Sequence, residues 1–319
     1  MANIPTQKDN LIISAIRLAR PLHWLKNLSL FAALFLTGML FDKVAFSEAF
    51  WAFIAFNFAA SATYVINDIL DARRDRLHPI KKMRPVASGS MPIPLAFLEA
   101  VLFAGLAIIV SAPLNSLFFF TILAYLVLQV FYSLGLKNIA ILDILIIAAG
   151  FIMRVYAGAF VIDAHLSVWF LLCVISVALF LASGKRRAEV NLSQDADNLT
   201  RKSLGNYKKE LLNSYVTMFG NASWMSWALF TFFESPKATL PFWLVLAELS
   251  RTTTINKLLM LTIPVTIFGI MRYEFLIFEG KSETPEKLLL SDRALVIAVG
   301  LWIIVVYWVL YSGVSVSGI

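Results

Sequence analysis

Charge is scarce in this chain. Of its 319 residues 15% are Asp, Glu, Lys or Arg and 60% are hydrophobic, whereas a soluble domain carries roughly 25% charge. That shortage excludes an ordinary water-soluble fold. Cysteine is rarer still. Cys173 stands alone inside LSVWFLLCVISVALFLA, which excludes an internal disulfide and reads as a small buried hydrophobe. The opening MANIPTQKDNLIISAIRLARP lacks a basic start, a compact apolar core and a small-residue cleavage site in that order, so it is not expected to be a cleaved signal peptide. There is no low-complexity tract and no visible repeat, and no stretch reads as a separate soluble domain. The expectation is one integral-membrane domain over residues 1–319.

What fills the chain instead is apolar runs of membrane-spanning length. Backbone polar groups in lipid must pair within their own segment, so the runs are expected to be helices. Nine spans are expected, at 28–46, 49–66, 94–111, 116–134, 139–161, 167–182, 212–233, 258–277 and 293–312. The run PFWLVLAEL at 241–249 is too short to cross and is expected at the interface. The fold class is therefore all-α, a polytopic membrane bundle. A cytoplasmic N-terminus of about residues 1–27 leaves only Lys43, Lys237, Arg251 and Lys257 in outer segments, with Arg154 inside a span. That is the positive-inside bias. The basic excess is what topology needs, and no nucleic-acid partner is expected.

Two basic clusters are denser than topology requires, at about 67–90 and 183–210. The first reads NDILDARRDRLHPIKKMRP. Asn67, Asp71 and Asp75 are spaced by four and stack on one helix face, with Asp68 adjacent. Hard oxygen donors of this kind suit Mg²⁺, which takes one or two carboxylates together with substrate phosphates. The alternative is local pairing of Asp71 and Asp75 with Arg74 and Arg76. Downstream, His78 and Pro79 are expected to end the helix. Lys81 and Arg84 then supply phosphate-binding cations beside the carboxylates. A polyanion carrying its own metal fits both signs of charge.

Other polar groups gather on the same side. They are Arg20, Trp24, Lys26 and Asn27 of RPLHWLKN, then Tyr132 and Lys137 of YSLGLKN, with Asp143 beginning the next helix. After the sixth span come Lys185, Arg186, Glu189, Arg201, Lys202 and Tyr207. Trp24 reads as an interfacial anchor. His23 receives no role, and His165 reads as an outer loop residue. Arg154, inside a span, either pairs with another helix or binds a lipid phosphate. Its face is shared by Asp143, but about 16 Å separate them along the axis, too far for a pair. Glu99 reads as a structural partner for some cation.

Taken in order, RPLHWLKN, NDILDARRDRLHPIKKMRPVASG, YSLGLKN followed by LD, GFIMRVYAGA, GKRRAE with RKSLGNY, and MRYEFLIFEG with PEKLLLSDR resemble the UbiA superfamily of intramembrane prenyltransferases. Within it they are most similar to the decaprenyl-phosphate phosphoribosyltransferases. The resemblance implies a UbiA-like bundle with a cytoplasm-facing site in the plasma membrane, and a homo-oligomer, a trimer. It implies transfer of phosphoribose from phosphoribosyl diphosphate to a polyprenyl phosphate, a step toward lipid-linked arabinose. Asp68, Asp71 and Asp75 with Asn67 would hold Mg²⁺ and the diphosphate. Lys81, Arg84, Tyr132, Lys137, Lys185 and Arg186 would hold phosphates, with Lys26, Asn27 and Arg154 also in the substrate set. Family members that alkylate aromatic rings resemble one another in a second aspartate-rich motif after the sixth span. Here that position opens with Lys185, Arg186 and Arg187, and Asp195 and Asp197 come later, two apart. A basic second loop suits extra phosphates. The rival readings are an aromatic prenyltransferase of the same fold and a transporter.

Overall fold

The structure, a computed structural model, describes residues 10–77, 81–194, 202–205, 207–234, 253–279, 288 and 291–311. The secondary structure of its described residues is helical, in the order α1 (Leu11–Ala19), α2 (Phe31–Leu36), α3 (Lys43–Asp75), α4 (Pro85–Ser88), α5 (Ile93–Ser111), α6 (Ser116–Leu134), α7 (Leu142–Val161), α8 (Val168–Gln194), α9 (Lys202–Gly205), α10 (Lys209–Phe233), α11 (Ile263–Phe278) and α12 (Arg293–Tyr311), joined by turns and loops. Tight 3₁₀ turns over Pro21–Leu30 lead into α2.

Among the described residues seven helices are long and apolar enough to cross a membrane, Lys43–Asp75, Ile93–Ser111, Ser116–Leu134, Leu142–Val161, Val168–Asn191, Leu258–Phe278 and Arg293–Tyr311. The protein is a multi-pass membrane bundle. Two of the nine expected spans differ. The span at 212–233 is the helix α10, whose Asn213, Ser214, Asn221, Ser223 and Ser226 dilute its apolar character. The first expected span is not one helix. It is the 3₁₀ stretch plus the six-residue α2, halted by Gly38 in the left-handed region at φ 80°. Asp42 then caps a new helix, its Oδ1 accepting from the backbone N–H groups of Val44 and Ala45 at 2.9 Å each. Both signals stand in the sequence, but counting apolar residues passes over them. The interfacial run expected at 241–249 lies outside the described residues.

α8 also departs from expectation. It runs through GKRRAEV to Gln194, so Lys185, Arg186 and Glu189 lie on a helix and not in a loop. The sequence there is rich in good helix formers, and Arg186 pairs with Glu189 one turn on. Cys173 is buried between α8 and α10, as expected. His165 is an exposed loop residue.

Arg154, buried within α7, is fully engaged. Its Nε donates to Asn27 Oδ1 at 2.5 Å, its Nη2 to the Tyr125 hydroxyl at 2.8 Å, and its Nη1 to the Gly150 carbonyl. The rings of Phe56 and Tyr125 flank the guanidinium at 5.3 and 5.0 Å. Asn27 in turn donates to Asn57 Oδ1 at 2.6 Å. This network ties α7, α6 and α3 to the 3₁₀ stretch. One turn further along α7, Gly158 lies directly against the backbone of Leu30. Trp24 is tied inward too. Its Nε1 donates to Ser61 Oγ at 3.0 Å, and Ser61 donates to the Ala19 carbonyl at 2.9 Å. The indole N–H is thus spent inside the protein, while the ring stays partly exposed. Glu99 is half-buried on α5 and makes no ion pair among the described residues.

Candidate active site

The last two turns of α3 carry Asn67, Asp68, Asp71 and Asp75. At about 100° per residue, Asn67 and Asp71 lie roughly 40° apart around the helix, while Asp75 drifts to within about 20° of Asp68. The four oxygen-bearing groups therefore share one face but form two pairs, not the single stack that a spacing of four suggests.

Each pair closes on a cation from elsewhere in the chain. Lys137 Nζ lies 2.6 and 2.7 Å from the two carboxylate oxygens of Asp71 and 3.1 Å from Asn67 Oδ1. Lys137 reaches them from the short connection between α6 and α7, and its side chain is 3% exposed. The second pair is bridged by Arg84, whose Nη1 donates to Asp75 Oδ2 at 2.7 Å and to Asp68 Oδ1 at 3.1 Å. Arg20 Nη2 reaches the same Asp68 oxygen at 2.5 Å. Asp68 is itself 1% exposed, so it depends on these partners. Asp71 and Asp75 thus pair with residues 137 and 84. Arg74 is exposed, and Arg76 donates to the Ala87 carbonyl at 3.2 Å.

Arg20 owes its position to a bend. It ends α1 in the left-handed region at φ 53°, an unusual conformation for a residue with a side chain. That corner turns the chain from α1 into the 3₁₀ stretch and aims the guanidinium at Asp68. Sequence reasoning placed Arg20 at the interface and left it out of the site. Lys26, Lys81 and Lys185 are partly exposed, and Asn27 is buried in the Arg154 network.

Arg186 behaves differently from the expectation for a phosphate ligand. It is 0% exposed. Its Nε lies 2.6 Å from Asp143 Oδ2, its Nη2 donates to the Tyr132 hydroxyl at 2.9 Å, and its Nη1 pairs with Glu189. Asp143 also accepts from the Tyr207 hydroxyl at 2.6 Å, and that hydroxyl accepts from the Ile141 N–H at 2.5 Å. Ile141 sits at φ 70°, which points its N–H at the tyrosine. One network thus joins α6, α7, α8 and the segment after α9. Arg187 turns away to Asn213 Oδ1 at 2.5 Å. The expected roles of His78, Pro79, Asp195, Asp197 and Arg201 lie outside the described residues.

Tyr207→Phe removes one hydroxyl from this network and leaves the Ile141 N–H without its acceptor. The buried Asp143 carboxylate also loses the Tyr207 hydroxyl, and a hydrogen bond to a buried charged group is worth about 1.5–3 kcal/mol. A fall in Tm of several degrees is expected, read by thermal unfolding in detergent, with unchanged insertion into the membrane. An unchanged Tm would mean that the network does not hold α7 to α9.

The carboxylate face offers the donor type of a divalent cation, although no three acidic, His or Cys side chains among the described residues converge as a ready metal site. A single ammonium, that of Lys137, already touches three hard oxygens of Asn67 and Asp71, the donor type that Mg²⁺ prefers. Asp68 and Asp75 are bridged by the Arg84 guanidinium, and Asp68 is held by Arg20 as well.

The profile of the UbiA prenyltransferase family matches residues 28–249. The decaprenyl-phosphate phosphoribosyltransferase of Mycolicibacterium smegmatis is 34% identical over 298 residues, covering 92% of this chain and 91% of that one. The enzyme of the same name from Corynebacterium glutamicum is 33% identical over 306 residues, covering 95% and 88%. A solved UbiA homologue from Archaeoglobus fulgidus, bound to DMAPP and Mg²⁺, superposes with a TM-score of 0.69 at 19% identity, over 93% of this chain and 99% of that one. With two thirds of its length matched by the profile and relatives alike along nearly their whole chains, this protein belongs to the UbiA prenyltransferase family.

Proposed function

We propose that the protein transfers the 5-phosphoribosyl group of phosphoribosyl diphosphate to a polyprenyl phosphate and releases pyrophosphate. The observation that carries this reading is the interleaving at the end of α3. Asn67 and Asp71 close on Lys137, and Asp68 and Asp75 close on Arg84. Such a site can exchange partners. Arg84, Arg20 and Lys137 would turn to the oxygens of a diphosphate, and the carboxylates they release would be free to hold a divalent cation. The name that the two relatives carry, each matched over about nine tenths of its length, supports the substrate class.

In this reading Asn67, Asp68, Asp71 and Asp75 would hold Mg²⁺, which when bound neutralises charge on the diphosphate. Arg84, Arg20, Lys137 and Lys81 grip the diphosphate and stabilise the charge that grows on departing pyrophosphate. Lys26 and Lys185 take the remaining phosphates, the donor's 5-phosphate or that of the lipid. Arg186 acts indirectly, by holding Tyr132 and α7 in place. The acceptor phosphate is already anionic and needs little from a general base, so the protein's task is alignment. The new bond forms between an acceptor phosphate oxygen and the anomeric carbon as the bond to pyrophosphate breaks, with inversion at that carbon. The site faces the cytoplasm in the plasma membrane, as the distribution of Lys and Arg favours, and the lipid tail enters between helices. The product is a lipid-linked phosphoribose of the kind that precedes lipid-linked arabinose.

Mass spectrometry of lipid products tests this. Purified protein with Mg²⁺, phosphoribosyl diphosphate and polyprenyl phosphate is expected to yield polyprenyl-phosphoryl 5-phosphoribose. Chelation with EDTA is expected to stop the reaction, and added Mg²⁺ to restore it. Product formation only from prenyl diphosphate and an aromatic acceptor would overturn the reading.

A further inference from the structure

The 3₁₀ stretch that delivers Arg20 also delivers His23, whose backbone N–H donates to the Arg20 carbonyl at 2.9 Å. The imidazole packs on Tyr64, with ring centroids 5.3 Å apart and planes tilted by 45°. The Arg20 guanidinium lies over that same Tyr64 ring, at 5.3 Å. Tyr64 is one helical turn before Asp68 on α3, so His23 lies beside the carboxylate face and about 5 Å along the axis from it. The ring is half-buried, and no hydrogen bond occupies either of its nitrogens among the described residues.

The groups around it come from every neighbouring element. Burial and the charges of Lys26, Arg20, Lys185 and Arg84 hold the His23 pKa down at about 3. His23 precedes the first apolar run and lies outside the seven candidate spans. Burial and these charges favour the neutral imidazole, which has one donor and one acceptor nitrogen. The surrounding cations can only donate and are drawn to phosphate. The carboxylates of α3 can only accept and are held by cations. A hydroxyl both donates and accepts, and a neutral imidazole matches it.

We propose that His23 reads the sugar, making a hydrogen bond to a ribose hydroxyl of the donor and so setting its preference for a pentosyl diphosphate. This rests on the phosphoribosyl reading above. With the diphosphate against the end of α3, the pentose attached to it extends about one turn toward Tyr64, where the imidazole waits. His23 is thus a specificity residue among groups that are otherwise charged.

Steady-state kinetics of His23→Phe and His23→Gln, with phosphoribosyl diphosphate and with its 2-deoxy and 3-deoxy ribosyl analogues, test the assignment. His23→Phe keeps the ring against Tyr64 and removes both nitrogens. It is expected to lower kcat/KM for the natural donor by about 10–100-fold, the loss for a hydrogen bond withdrawn from a buried polar group. Inhibition by pyrophosphate should stay unchanged. His23→Gln, whose amide also donates and accepts, should recover most of the loss. One deoxy analogue should be a poor donor for the wild type yet no poorer for His23→Phe than the natural donor is. Wild-type kcat/KM in His23→Phe overturns the role. So does a parallel loss of pyrophosphate inhibition, which would make His23 a phosphate contact, and so do deoxy penalties equal in both proteins. Wild-type protein that makes no phosphoribosyl lipid overturns the broader reading, and this one with it.

Discussion

Asp71→Ala is expected to abolish turnover, lowering kcat/KM by about 10³-fold or more, equivalent to roughly 4 kcal/mol of barrier. The carboxylate provides both oxygens closest to Lys137, and in the proposed function it anchors the metal-borne diphosphate. The single variant also takes the carboxylate partner from a buried ammonium, which by itself costs about 3–5 kcal/mol of stability. Activity loss alone would therefore be ambiguous. Asp71→Ala combined with Lys137→Met separates the two effects. Replacing the whole pair by apolar groups should bring Tm back toward the wild-type value, while turnover stays absent. If the double variant regained activity along with stability, Asp71 would be a structural partner for Lys137 and the metal assignment would fall.

Gly158→Ala should act through the backbone, about as strongly on folding as Asp71→Ala acts on chemistry. A Cβ built on Gly158 would lie 1.8 Å from the Leu30 carbonyl oxygen and 2.7 Å from its carbon. Alanine is intrinsically better than glycine inside a helix by about 1 kcal/mol. Here that preference loses, because the obstacle is main chain and cannot rotate away. Overpacking of this kind costs about 1–3 kcal/mol or more. The strain would push the 3₁₀ stretch off α7, and that stretch carries Arg20, His23 and Lys26. A lower Tm together with weaker donor binding is expected, although residue 158 touches none of the site residues. Gly105→Ala is the control. It is also mid-helix, but nothing lies within 4 Å of its Cβ position, so it should be neutral or slightly stabilising. Equal behaviour of the two variants in thermal unfolding would rule out the close approach of α7 to Leu30.

The two predictions draw on different kinds of information. The placing of Asp71 on an oxygen-bearing face could be read from NDILDARRD, because helical periodicity sets its neighbours on one face whatever the helix packs against. The Gly158 contact could not be read from GFIMRVYAGA. Nothing local distinguishes that glycine from Gly105, and only the approach of Leu30 from the far end of the chain makes it special. His23 lies between these cases. Its neighbours Arg20 and Lys26 were visible, but its position over Tyr64 was not.

The sequence by itself determined the helical class, the membrane setting and the oxygen-bearing face at the end of α3, because apolar length and 3.6-residue spacing are local properties. It also determined that cations would surround that face. Tertiary structure decided which cation meets which carboxylate. Asp71 takes Lys137 from 66 residues away, and Asp68 takes Arg20 from 48 away. Arg186, which looked like a phosphate ligand in the sequence, is locked to Asp143 and Glu189. The reason is physical. A charge inside a low-dielectric bundle must find a partner, and which partner is in reach depends on the tilt and approach of helices far apart in the chain.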